Sequence, residues 1–154
     1  SSSAAIGSLG MPAYSMAKAG LIGLGRSLAL EGAPVGIKVN ILMPIGYTRS
    51  AALNPNEDTR QWMEANFAPQ MCSPAATWLV HEDVACSGEI FTTGAGRVAL
   101  ISTLGVPGWS GGPEISMESL RDHWSSVVDR DGSTPMLYSR DDLGFYSGPA
   151  TWRG

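Results

Sequence analysis

Met11–Gly25 reads MPAYSMAKAGLIGLG and sets a tyrosine and a lysine four residues apart at the head of an apolar segment studded with glycine. Positions i and i+4 of a helix share one face, so Tyr14 and Lys18 would project side by side from a first turn. An isolated phenol holds its proton at neutral pH, and a nearby ammonium favours the phenolate. Such a pair could exchange protons near neutrality, where general acid–base catalysis is most efficient. Spacing alone does not separate that reading from a chance pair on an ordinary helix.

Continued to Glu31, the segment SMAKAGLIGLGRSLALE puts Leu21, Ile22, Leu24, Leu28 and Leu30 at mostly helical spacing, with Pro34 just beyond as a stop. The spacing predicts a helix from Ser15 to Glu31, opened by Tyr14. Gly20, Gly23 and Gly25 each weaken such a helix by about 1 kcal/mol relative to alanine, a loss recovered where another backbone packs close. The helix is therefore expected to lie against a sheet or a sister helix. GIKVNILMP, Gly36 to Pro44, alternates, is β-branched and ends in proline, so it reads as a strand. A helix followed so soon by such a strand points to α/β layering.

Further along, a polar, turn-rich stretch leads to a short helix expected around Thr59 to Asn66. Ser73 reads as an N-cap with Pro74 at the first helical position. GEIFTTG and RVALIST look like strands flanking Gly94-Ala95-Gly96. SMESLRDHW carries a capping-box pattern in which Ser119 answers Ser116. The residues from Asp131 to Gly154 mix Gly, Ser, Pro, Tyr and Asp without periodicity and are expected to form an irregular tail, leaving residues 1–130 as one domain. Trp62, Trp78, Trp109, Trp124 and Trp152 are expected in the core or at an interface.

Composition narrows the classes. With 154 residues, 44% hydrophobic, 16% charged, 19 glycines and 10 prolines, the chain resembles globular proteins rich in turns. A formal net charge of −4 without a basic block argues against nucleic-acid binding. The apolar runs fall short of the roughly 20 residues a membrane span requires, so no membrane partner is expected. Cys72 and Cys86, without paired C-x-x-C spacing, suggest two reduced thiols and no metal site. A cytoplasmic location follows as the expectation; a peroxisomal one would have no C-terminal targeting signal to support it. The first residues, SSSAAIGSLG, include neither a secretory leader nor an initiating methionine, which suggests a processed chain or a fragment.

AYSMAKAGLIGLGRSLALE together with GIKVNILMP resembles the short-chain dehydrogenase/reductase family, in which Y-x-x-x-K opens a helix that is followed by a V-N-x-x-x-P strand. Tyr14, Lys18, Val39, Asn40 and Pro44 occupy those places, and Ser1 stands thirteen positions before Tyr14, where the family carries a serine, with Ser2 and Ser3 as the alternatives in a shifted register. The resemblance implies a proton relay beside NAD or NADP. Tyr14 would exchange the proton of a carbonyl/hydroxyl pair, Lys18 would acidify it and hold the nicotinamide ribose, and Ser1 would hydrogen-bond the substrate oxygen. Pro44, Ile45, Gly46 and Thr48, in a loop that reads P-I-G where the family has P-G, would meet the carboxamide. WLVHEDVACSGEIFTTGAGRVALI is similar to one branch of the family, the (3R)-hydroxyacyl-CoA dehydrogenase domains of peroxisomal multifunctional enzymes and their bacterial relatives. That likeness implies a small-molecule substrate, a 3-hydroxyacyl-CoA.

The family's glycine-rich dinucleotide turn, its N-N-A-G segment and its upstream asparagine find no counterpart before Ser1. The expected fold is thus α/β, the C-terminal portion of a Rossmann-like doubly wound parallel sheet in three layers that lacks the nucleotide-binding half, inactive by itself. A homo-oligomer through the Tyr14–Glu31 helix is expected, and a non-catalytic oligomerisation or binding module is the alternative. GAGRVA mimics a Rossmann fingerprint but precedes strand-like residues, so it is read as a turn. GWSGG, Gly108 to Gly112, mimics a nucleophile elbow, yet Pro113 and Glu114 delay any helix and a loop is expected. His81 beside Glu82 and Asp83 is read as a solvated helix end.

Overall fold

The computed structural model describes residues 1–146, apart from the side chains of Arg140 and Leu143. Trp152 and the end of the expected irregular tail lie outside the described residues. Two compact units divide the chain between Ile101 and Ser102.

In the first unit a short helix α1 (Ser3–Ile6) precedes the long helix α2 (Pro12–Gly32). Pro12 suits the first turn of α2, where its missing N–H would have had no helical partner. Gly25, Ala29 and Gly32, spaced i, i+4 and i+7, form the buried stripe of α2. A Cβ at Gly25 would come 2.7 Å from Cγ1 of Ile41, and one at Gly32 would come 2.7 Å from the backbone oxygen of Ile37. Only a helix face without side chains allows this approach. The close packing expected at three glycines is found at Gly25 alone, since Gly20 and Gly23 face open space. Leu21, Leu24, Leu28 and Leu30 are exposed.

Strand β1 (Ile41–Pro44) runs parallel to β2 (Ile90–Gly94), which pairs antiparallel with β3 (Arg97–Ile101). Helices α3 (Glu57–Asn66) and α4 (Ser73–Leu79) make the crossover that a parallel pair needs. Among the described residues β1 is an edge strand. Ile41 and Ile45 donate to Glu89 and Thr93 of the neighbouring chain segment, each at 2.8 Å. By alternation Pro44 turns its imino nitrogen to the other edge, where no donor is used. Ala29, Met43, Ala75, Val84 and Ile90 make up the buried apolar core.

The strand expected from Gly36 begins only at Ile41. Gly36 sits at φ 75°, a left-handed turn, and the residues after it are held by side chains and by the Val39 carbonyl, which accepts from the Gly88 N–H at 2.7 Å. Lys38 donates Nζ to the carbonyls of Glu82 and Val84. Val39 donates its N–H to Ser87 Oγ at 3.1 Å, and Asn40 both donates to the Cys86 carbonyl at 3.0 Å and accepts from the Glu89 N–H at 3.2 Å. The Val-Asn pair thus clamps the loop that enters β2.

Helix α3 is capped by Asn56, whose Oδ1 accepts from the Thr59 N–H at 2.8 Å. Ser73 is the first helical residue of α4 and not its N-cap, because the turn Pro69–Cys72 already winds into it. Gly94-Ala95-Gly96-Arg97 joins β2 to β3 with Ala95 at φ 49° and Gly96 at φ 76°, the pattern of a type I′ hairpin turn.

The second unit pairs β4 (Thr103–Gly105) antiparallel with β5 (Thr134–Met136). It also holds α5 (Met117–Asp122), α6 (Trp124–Val127) and α7 (Ser139–Leu143). Ser116 and Ser119 form the expected capping box. β5 and α7 correct the expectation of an irregular tail over 131–146, because regular pairing with β4 overrides a sequence without periodicity. Trp62, Trp78 and Trp124 are exposed, so of the two places expected for them the core is excluded. Among the described residues no helix is long and apolar enough to cross a membrane.

The two kinds of glycine in α2 give opposite signs. Gly23→Ala should stabilise the chain by about 0.5–1 kcal/mol through helix propensity, whereas Gly32→Ala should cost about 1–3 kcal/mol through overlap with the Ile37 carbonyl. Denaturant midpoints of the two variants check this.

Candidate functional site

The head of α2 and the end of β1 face a single open cavity of about 990 Å³ in the first unit. One wall is the N-terminal segment with Ser1, Ser2, Ser3, Leu9, Met11 and Tyr14. The other is the chain leaving β1, with Pro44, Ile45, Gly46, Thr48 and Ser50, backed by Met63, Pro69 and Cys72. Of the candidate residues, Ser1, Tyr14, Pro44, Ile45, Gly46 and Thr48 all line it. Lys18 does not, and stands beside Tyr14 with Nζ 5.6 Å from the ring centroid. This is the side-by-side arrangement that the i, i+4 spacing requires.

Ser1 Oγ donates to Ser3 Oγ at 3.2 Å and accepts from the Ser3 N–H at 3.3 Å.

Three bonds fix the loop after β1. The Ile45 N–H continues the parallel ladder to Thr93, so the residue inserted between Pro44 and Gly46 lengthens β1's pairing. The Tyr47 N–H donates to the Phe67 carbonyl at 2.7 Å. The Cys72 thiol approaches the carbonyls of Ile45 and Thr93 at 3.6 and 3.7 Å. Phe67 is braced by Trp62, ring centroids 4.8 Å apart and edge-on. Gly94 admits the loop to the sheet, since a Cβ there would lie 2.7 Å from the Ile45 carbonyl oxygen.

Cys72, Phe67 and Gly94 were not assigned to the site from sequence. Gly94 was visible only as part of a false dinucleotide fingerprint, and Cys72 and Phe67 carry no local pattern. The GAGRVA turn joins two strands and opens no helix. Ser110 follows no strand directly, and the only nearby regular turn is Gly112–Glu114; His123 stacks on Trp109 at 4.3 Å and its Nδ1 is bonded to the Ser119 carbonyl. His81 stacks on Trp78 and accepts from the Asp83 N–H, and among the described residues no cluster could hold a metal ion.

Residues 1–94 match the family model described as enoyl-(acyl carrier protein) reductase. The chain belongs to the short-chain dehydrogenase/reductase family. It is 30% identical over 134 residues to a Mycobacterium tuberculosis protein named as a short-chain type dehydrogenase/reductase, covering 86% of this chain and 45% of that one. It is 30% identical over 132 residues to peroxisomal multifunctional enzyme type 2 of Mus musculus, covering 84% of this chain and 17% of that one. The chain thus spans less than half the length of these relatives. The structure of full-length peroxisomal multifunctional enzyme type 2 from Drosophila melanogaster has the same fold, with a TM-score of 0.75 at 24% identity over 92% of this chain and 26% of that one. A short chain dehydrogenase from Mycobacterium avium gives a TM-score of 0.54 at 25% identity over 80% of this chain and 40% of that one. These likenesses make the α/β layering a Rossmann-type fold.

Gly94→Ala should push Ile45 and Gly46 off the sheet end and destabilise the unit by about 1–3 kcal/mol. The check is a lower denaturant midpoint at unchanged slope, with altered amide shifts at Ile45 and Gly46.

Proposed function

We propose that the chain forms the C-terminal part of an NAD- or NADP-dependent oxidoreductase that interconverts a secondary alcohol and a ketone on a 3-hydroxyacyl thioester. One observation carries the proposal: Tyr14, with Lys18 beside it, shares one cavity with Ser1 and with Pro44–Thr48. The thioester is suggested by the likeness of the Trp78–Ile101 stretch to hydroxyacyl-CoA dehydrogenase domains and by the apolar lining from Leu9, Met11, Leu53 and Met63.

Members of this family generally use NAD or NADP. The cavity fits the nicotinamide end of such a cofactor: Thr48 and the Gly46 backbone offer polar groups, and Pro44 and Ile45 offer an apolar face. The described residues hold no glycine-rich turn between a strand and a helix to receive the pyrophosphate. That half of the cofactor would rest on the preceding part of the domain. When bound, the nicotinamide would supply or take the hydride.

Around it the chain's own residues manage the proton. Tyr14 would give its phenolic proton to the ketone oxygen, or take it from the alcohol, and the Lys18 cation would stabilise the phenolate left behind. Ser1 would donate a hydrogen bond to the same oxygen as charge builds there. Pro44, Ile45, Gly46 and Thr48 would orient the carboxamide.

The chain joined to its upstream coding segment should oxidise a 3-hydroxyacyl-CoA with NAD or NADP, while the isolated chain should not. Tyr14→Phe in the joined form should lower turnover by roughly 10²–10⁴-fold. Robust turnover by the isolated chain, or by the Tyr14→Phe variant, would refute the reading.

The exposed stripe Leu21, Leu24 and Leu28 favours self-association through the Tyr14–Glu31 helix, the same surface that a purely structural module would use. Leu24→Glu should convert an oligomer to a smaller species in sedimentation velocity without loss of helical signal.

A further inference from the structure

A chain of serine hydroxyls runs away from the cavity. Ser1 and Ser3 line it, and Ser8 does not. The Ser3 hydroxyl lies 3.2 Å from that of Ser1 and 2.6 Å from that of Ser8, and Ser3 is only 8% exposed. Ser8 also reaches the helix that carries Tyr14. Its carbonyl accepts from the Met11 N–H at 3.2 Å, and the Met11 carbonyl accepts from the Ser15 N–H at 2.9 Å in the first turn of α2. One short path therefore ties the Ser1 oxygen to the head of α2.

A hydroxyl has one proton to donate and two lone pairs to accept with. The Ser3 N–H occupies one lone pair of Ser1 and fixes where its oxygen sits. As the chain stands, Ser1 spends its proton on Ser3. A ketone oxygen in the cavity reverses this order: Ser1 turns its proton to the ketone, Ser3 donates to Ser1, and Ser8 donates to Ser3. Every hydroxyl stays bonded in both orders, and the donor that faces the ketone is polarised by those behind it.

We propose that Ser3 and Ser8 are positioning residues that aim and polarise the Ser1 hydroxyl toward the substrate oxygen. The inference rests on the dehydrogenase reading, which supplies the ketone. No proton leaves the chain in this step; three hydroxyl groups rotate, and Tyr14 remains the group that transfers a proton. A donor held within a fraction of an ångström of its target is what makes oxyanion-type stabilisation effective.

The test is the infrared stretch of acetoacetyl-CoA, labelled with ¹³C at the ketone carbon, bound to the chain joined to its upstream coding segment. Hydrogen bonding from Ser1 lowers that frequency relative to the free ligand, so Ser1→Ala should shrink the downshift. Ser3→Ala should make the downshift smaller by about 10–30%, and Ser3→Thr, which restores the hydroxyl, should recover it. Ser8→Ala, at an exposed position, should shrink it in the same direction and carries the test if Ser3→Ala does not fold. Full downshift in both Ser3→Ala and Ser8→Ala, with loss in Ser1→Ala, would overturn this inference and leave the dehydrogenase reading standing. No downshift in the unaltered joined form would overturn both.

Discussion

The contact between Gly25 and Ile41 governs how the two walls of the cavity meet. Helix α2 carries Tyr14 and Lys18 at one end, and strand β1 delivers Pro44–Thr48 from its own end. Neither element is positioned unless the helix lies directly on the strand, and a Cβ at Gly25 would come 2.7 Å from Ile41. Gly32 against the Ile37 carbonyl repeats the constraint two turns further on. Glycine in a helix is costly relative to alanine, and that cost is offset here by the apolar contact it permits.

From that contact the site follows in short steps. The parallel ladder carries β1 past Pro44 to Ile45, and Gly94 lets Ile45 lie against the sheet end. Phe67 and Cys72 hold the departing loop from the crossover side. The Ser8 carbonyl, bonded to Met11, draws the N-terminal segment up to the head of α2. The result is a cavity that brings the Ser1 and Tyr14 hydroxyls to one space with Pro44, Ile45, Gly46 and Thr48.

Much of this was legible in the sequence because it is local. The i, i+4 spacing of Tyr14 and Lys18, the apolar periodicity of α2, the hairpin at Gly94-Ala95-Gly96 and the Ser116–Ser119 box all depend on residues close in the chain, where helix and turn geometry leave little choice. What escaped depends on distant pairs. The strand began at Ile41 because Lys38, Val39 and Asn40 bond to the loop at 82–89, far along the sequence. Gly20 and Gly23 resembled Gly25 in composition but face outward, a difference set by where the sheet lies. The strand Thr134–Met136 exists through its pairing with Thr103–Gly105, which no local pattern announces.

The central claim is that the cavity between α2 and the end of β1 receives the nicotinamide end of the cofactor. Titrating nicotinamide mononucleotide into the ¹⁵N-labelled chain tests it directly. Saturable amide shifts confined to the Ser1–Tyr14 segment and to Ile45–Thr48 are the predicted result; shifts centred on the Gly94–Arg97 turn, or none at the cavity walls, would contradict it.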